Sequence, residues 1–152
     1  MNPMTRWLDP DEQRTWRAYL TASRALMDTL DRELQRDAGM PHAYYEILAR
    51  LSEAPGRQLR MSELADLTGS SRSRLSHAAA RLEATGWLRR EDCQTDRRGQ
   101  VAVLTDDGFA VLAAAAPGHV EGVRRHLFDA LSPAQVDQLR RISETLVAHL
   151  TG

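Results

Sequence analysis

Arg72, Arg74, His77 and Arg81 crowd the segment between residues 71 and 85, interleaved with Ser71, Ser73 and Ser76. If that segment is a helix, at about 100° per residue, Leu75, Ala78, Ala79 and Leu82 converge on one face. Ser73, His77, Ala80 and Ala84 fall opposite, flanked by Arg74, Ser76 and Arg81. Guanidinium and imidazole N–H groups donate to guanine O6 and N7, and a face without bulky aliphatics can lie close to base edges. The chemistry on offer is hydrogen-bonded reading of a duplex. A solvated helix face fits the same periodicity. A second basic pair, Arg97 and Arg98, lies in the polar segment CQTDRRG. Adjacent arginines at a loop tip suit a phosphate-lined groove. A plain hairpin tip, needing Asp96 and Gly99 only for its turn, is the alternative.

Other chemistry has little to stand on. The chain shows no Gly-rich phosphate loop, paired-carboxylate site or Ser/His/Asp arrangement, so it is not read as an enzyme. The five histidines have no close metal spacing, although His119 and His126 share a helix face and could meet a carboxylate. No metal or cofactor is expected. The single cysteine, Cys93, excludes an internal disulfide and a cysteine-rich zinc site. It is either incidental or an oxidant-responsive thiol that could link two chains.

Composition agrees with a nucleic-acid partner. All 20 basic residues are Arg, a usage better explained by a GC-rich genome than by mechanism. Residues 57–98 hold nine Arg against six acids, whereas the rest holds 11 against 15. A basic middle inside acidic flanks points to an anionic partner for the middle. At 152 residues the chain suits one domain, or one that completes itself by dimerising. No apolar run approaches the roughly 20 residues of a membrane span, and the N-terminus lacks an apolar signal core, so the cytoplasm is expected.

Local signals lay out the elements that must hold these residues. Asp9-Pro10-Asp11-Glu12 reads as a capped start for a helix to Gly39, with Trp16, Leu20, Met27, Leu30 and Leu34 as its stripe. Pro41 opens a second helix to about residue 54, broken by Pro55-Gly56. A short helix from Ser62 to Thr68 turns at Gly69, and Ser70-Ser71 caps the basic helix, which ends near Thr85. Trp87–Asp92 and Gln100–Leu104 read as two strands around CQTDRRG. Thr105-Asp106-Asp107 caps a long helix to about Leu131, kinked at Pro117-Gly118, and Ser132-Pro133-Ala134-Gln135 caps the last one. The stripes of the first helix and of the last (Leu139, Ile142, Leu146, Leu150) are wider than one small core can cover, which predicts a dimer.

Helix, glycine turn, helix and two-stranded ribbon over residues 58–105 form the winged helix-turn-helix pattern. The stretch MSELADLTGSSRSRLSHAAARLEATGWLRREDCQTDRRGQVAVLTDDG resembles the core of the MarR family of bacterial transcription regulators. Its S-E-L-A entry, its R-L-E-A-T-G-W-L-R-R junction and above all the wing segment from Asp96-Arg97-Arg98 to Leu104-Thr105 carry the likeness. The flanking helices extend it over about residues 10–150. The resemblance implies a mainly α (α+β) fold in one domain, residues 1–152. In it, the winged region 58–105 is flanked by N- and C-terminal dimerisation helices, 10–54 and 106–152. It implies a ligand-responsive repressor that binds pseudo-palindromic duplex DNA as a homodimer. Ser71, Arg72, Ser73, Arg74, Ser76, His77, Arg81, Arg97 and Arg98 are then the DNA contacts. Arg98 would enter the minor groove, with Asp96 bracing the loop through a charged contact, as to Arg81. Trp16, Tyr19, Arg24, His42, Tyr44 and Tyr45 would wall a pocket for a small aromatic effector, although Trp16 and Tyr44 would equally fill core. The family's peroxide-sensing branch carries its cysteine in the N-terminal helix, where this chain has none. A winged helix used for protein contacts and an oxidant sensor acting through Cys93 are the competing functions.

Overall fold

The computed structural model describes residues 4–95 and 98–152. Six helices and three strands follow in the order α1 (Pro10–Ala38), α2 (His42–Glu53), β1 (Gln58–Arg60), α3 (Met61–Thr68), α4 (Arg72–Ala84), β2 (Leu88–Asp92), β3 (Gln100–Leu104), α5 (Asp106–His126) and α6 (Pro133–Thr151). Among the described residues, no helix is long and apolar enough to cross a membrane. The chain divides into two compact units, one of Asp31–Glu121 and one of Met1–Leu30 with Gly122–Gly152.

The Asp31–Glu121 unit is built on an aliphatic core. Leu48, Leu51, Leu64, Leu75, Leu82 and Leu88 are almost wholly buried, drawn from α2, α3, α4 and β2. Each such leucine contributes about 1.5–3 kcal/mol relative to an exposed one. Beside this core lies an antiparallel sheet of order β1-β3-β2, with Leu59 opposite Ala102 and Leu88 opposite Leu104. The expected hairpin is therefore a three-stranded sheet. β1 is only three residues long, too short to carry a periodic signal, and it exists because β3 offers it a pairing edge. Its approach runs through Gly56 and Arg57, both in the left-handed region at φ 66° and 54°. Arg57 is held there with its guanidinium 3.7 Å above the Phe109 ring and 3.8 Å from the Asp106 carboxylate.

Helix starts follow their caps. At α1, the Glu12 N–H donates to Asp9 Oδ1 at 2.8 Å and the Asp9 N–H donates to Glu12 Oε2 at 2.9 Å. The same reciprocal box joins Ser132 and Gln135 at α6. α3 departs from expectation. It starts at Met61 after Arg60, one residue before the expected Ser62. α5 runs through Pro117 but stops at His126, short of the expected Leu131. Leu127 leaves the α-helical register, and Phe128–Ala130 form a separate 3₁₀ turn.

In the other unit, α6 has no buried residue along its 19 positions. Ile142 is 59% exposed and Leu150 77%, and Leu139, Leu146 and Val147 are exposed beside them. On the N-terminal part of α1, Trp16 is 51% exposed and Met27 is exposed as well. Leu30 and Leu34 differ from the rest of that stripe: both are buried within the single chain.

Candidate nucleic-acid interface

The turn before α4 needs its glycine. Gly69 lies at φ 61°, and the next residue, Ser70, donates its N–H to the Ala65 carbonyl at 3.0 Å, closing α3. Ser71 then caps α4, its Oγ accepting from the Arg74 N–H at 3.1 Å. Such a cap contributes about 0.5–2 kcal/mol. With Leu75, Ala79 and Leu82 buried, the helix can present only one other face. Arg72, Ser73, Arg74, Ser76, His77, Ala80, Arg81 and Ala84 are all exposed. The basic helix thus offers hydroxyls, guanidiniums and an imidazole to solvent with no aliphatic bulk among them.

β2 and β3 form the hairpin beside it. The Cys93 N–H donates to the Gly99 carbonyl at 2.9 Å, and Arg98 is exposed on the loop above that closure. Asp96 and Arg97 lie outside the described residues, and with them the expected brace from Asp96. A cleft of about 370 Å³ opens between hairpin and helices, lined by Arg60, Ser62, Arg72, Ser76 and Arg98 over the Leu75 side chain. Arg60, the last residue of β1, is half-buried, and its guanidinium donates to Cys93 Sγ at 3.4 Å. The Thr95 hydroxyl lies 3.3 Å from the same sulfur.

The six residues expected to wall an effector pocket fall into both units. Trp16, Tyr19 and Arg24 lie on α1 in the Met1–Leu30 part and are exposed, the two rings stacked at 6.4 Å. His42, Tyr44 and Tyr45 open α2 in the Asp31–Glu121 unit. Tyr45 is buried in the core and Tyr44 packs partly against it. There His119 of α5 joins them, its ring 4.3 Å from Tyr45 and 5.4 Å from His42. Its Nδ1 is buried without a hydrogen-bond partner. Burial, reinforced by His42 and opposed by Glu33, holds its imidazole below the usual histidine pKa. His126, the expected companion of His119, belongs to the other unit. Among the described residues, no group of three or more His, Cys, Asp or Glu could hold a metal ion.

A MarR family profile matches residues 38–99. The chain is 55% identical to Sco3205, a MarR family transcriptional regulator from Streptomyces coelicolor solved in complex with DNA. The likeness covers 96% of this chain and 92% of that one, at a TM-score of 0.92. The chain belongs to the MarR family. AbsC, another MarR family transcriptional regulator from S. coelicolor, is 44% identical over 97% of this MarR chain and 99% of its own, at a TM-score of 0.91. The transcriptional repressor MprA of Escherichia coli K12 is 30% identical over 112 residues, covering 74% of this chain but only 63% of MprA. The match therefore spans less than two thirds of that relative's length.

Two of the sequence signatures on which the MarR likeness rests have visible local work. In R-L-E-A-T-G-W-L-R-R, the Glu83 carboxylate accepts the Arg90 N–H at 2.9 Å and its guanidinium at 3.1 Å, tying the end of α4 to β2. Those hydrogen bonds hold the Glu83 carboxyl below its usual pKa. In L-T-D-D-G, the Thr105 hydroxyl donates to the Gly86 carbonyl at 2.6 Å and accepts the Gly108 N–H at 3.0 Å. A Cβ on Gly108 would stand 2.0 Å from the Trp87 carbonyl oxygen. These residues fix the wing and α5 against α4. Two site residues, Arg60 and Ser62, escaped the sequence reading, as did the true neighbours of His119. Arg60 and Ser62 carry no motif, and His119 meets His42 only because the fold brings α5 to the start of α2.

Proposed function

We propose that this MarR-family regulator binds pseudo-palindromic duplex DNA sequence-specifically as a homodimer and represses transcription, an aromatic effector releasing it. The observation that carries the reading is the exposed, bulk-free basic face of α4. In this reading Ser71, Arg72, Ser73, Arg74, Ser76, His77 and Arg81 enter the major groove, and Arg97 and Arg98 reach the adjacent minor groove. Sco3205, 55% identical, was solved with DNA, and MprA is named a transcriptional repressor; both support the assignment. The apolar stripe of α6, without a buried residue in the single chain, supports a second copy as its cover. Repression is steric: a bound dimer excludes polymerase, and an effector preferring a DNA-incompetent arrangement shifts the population off the operator. The effector's preference must reach about tenfold, or 1.4 kcal/mol, to change occupancy noticeably.

The test is selection of duplexes from a random pool by the purified protein, followed by a salt titration of the enriched sequence. Enrichment of an inverted repeat and a steep fall in affinity with salt are expected. A protein that enriches nothing, and scatters light as a monomer at micromolar concentration, does not work this way. A second reading, an oxidant sensor, draws on Cys93, whose Sγ accepts from the Arg60 guanidinium at 3.4 Å. Peroxide that leaves DNA affinity unchanged removes it.

A further inference from the structure

Three arginines line the 370 Å³ cleft from three separate elements: Arg60 ends β1, Arg72 begins α4, and Arg98 stands on the hairpin loop. No carboxylate lines the cleft among the described residues. Ser62 and Ser76 add hydroxyl donors at its walls, and Leu75 gives it an apolar floor. Such a site is made for an oxyanion carried on an organic backbone, because planar guanidiniums match phosphate oxygens two at a time. Its position says which oxyanion. If α4 lies in a major groove and the hairpin in the neighbouring minor groove, one sugar-phosphate strand must pass between them. The cleft occupies that gap.

We propose that the Arg60–Arg72–Arg98 cleft seats one phosphodiester group of the strand dividing the two grooves, with Arg60 as a DNA contact outside the recognition helix. This rests on the DNA-binding reading above. Arg60 differs from the other two in being half-buried. Its backbone is set by pairing opposite Val101, and its guanidinium is placed by the Cys93 sulfur. Less side-chain freedom is lost when such a group closes on phosphate, so it acts as the fixed jaw, and the exposed Arg72 and Arg98 complete the clamp. A phosphate contact carries no sequence information, so the clamp sets register and affinity while α4 reads bases.

The experiment uses the full chain and a duplex selected by it, with single phosphates replaced in turn by neutral methylphosphonate. Wild-type protein should lose about tenfold in affinity at one phosphate per half-site. Arg60→Ala should bind the unmodified duplex about tenfold more weakly, with a salt slope shallower by about one per protomer. At that one phosphate, methylphosphonate should cost the variant nothing more. Losses that multiply at every position, or an Arg60→Ala protein that binds as tightly as wild type, overturn the clamp. If Arg60→Ala fails to fold by circular dichroism, Arg72→Ala, at an exposed helical position, is read in the same cycle with the same two outcomes. Millimolar orthophosphate at constant ionic strength separates the sources: a shift of the Arg60 Nε–Hε resonance without DNA, together with a methylphosphonate cost that Arg60→Ala leaves unchanged at every position, would mark a free-anion site and overturn the strand assignment. A selection that enriches no duplex for wild-type protein overturns the DNA-binding reading itself, and the clamp with it.

Discussion

Ala80 and Gly108 are both small for opposite reasons. Ala80 is exposed on the outward face of α4, with no described hydrogen bond or ion pair around it, so substitution there should leave stability within about 0.5 kcal/mol. Ala80→Glu would nevertheless set a carboxylate among Ser76, His77 and Arg81, against the phosphates of a docked duplex. DNA affinity should fall by at least about tenfold while the melting temperature holds, read by anisotropy and calorimetry on the same preparation. Gly108 is buried where the first turn of α5 meets the Trp87 carbonyl, and its missing Cβ is what permits the approach. Gly108→Ala should cost about 3 kcal/mol, the upper end for overpacking, because backbone and not a flexible side chain must yield. A denaturant midpoint equal to wild type would mean that α5 can back away from Trp87 freely.

At the scale of elements, His119 couples α5 to α2. Folding favours its neutral ring, since burial and the neighbouring His42 both disfavour the charged form and Glu33 offsets them only in part. Its contribution is complete above the ordinary histidine pKa near 6.5 and is lost as pH falls through the lower folded value. Wild-type protein should therefore lose stability as pH falls below about 6.5, and His119→Phe should lose less over the same range. Identical melting profiles for the two proteins would show that another group titrates there. The pairing also marks where sequence stops being informative. Helix starts were legible because a cap closes within three residues, as between Asp9 and Glu12 or Ser132 and Gln135. The outward face of α4 was legible because Leu75, Ala79 and Leu82 leave it no other choice. β1 was not, since three residues pair only when β3 arrives from far along the chain. The end of α5 was overshot because Leu127 and Leu131 prolong an apolar rhythm after the backbone has left the α-helix. Arg60 joined the cleft through that same unseen strand.

At the scale of the whole molecule, α6 is the element with no interior. None of its 19 residues is buried in the single chain, and most helical stability in proteins comes from packing an amphipathic face. A helix that depends on a second copy links its own formation to mass action. The melting temperature should rise with protein concentration, and α6 amides should exchange fastest in the most dilute samples. A melting temperature independent of concentration across two decades would show that α6 stands alone. Abundance then enters regulation directly. A cell that makes little of this protein would hold not merely fewer DNA-binding units but less completely folded ones, exposed to proteolysis at their C-terminal helix. Occupancy of an operator would climb more steeply than in proportion to synthesis, giving the regulator a threshold that no effector has to supply.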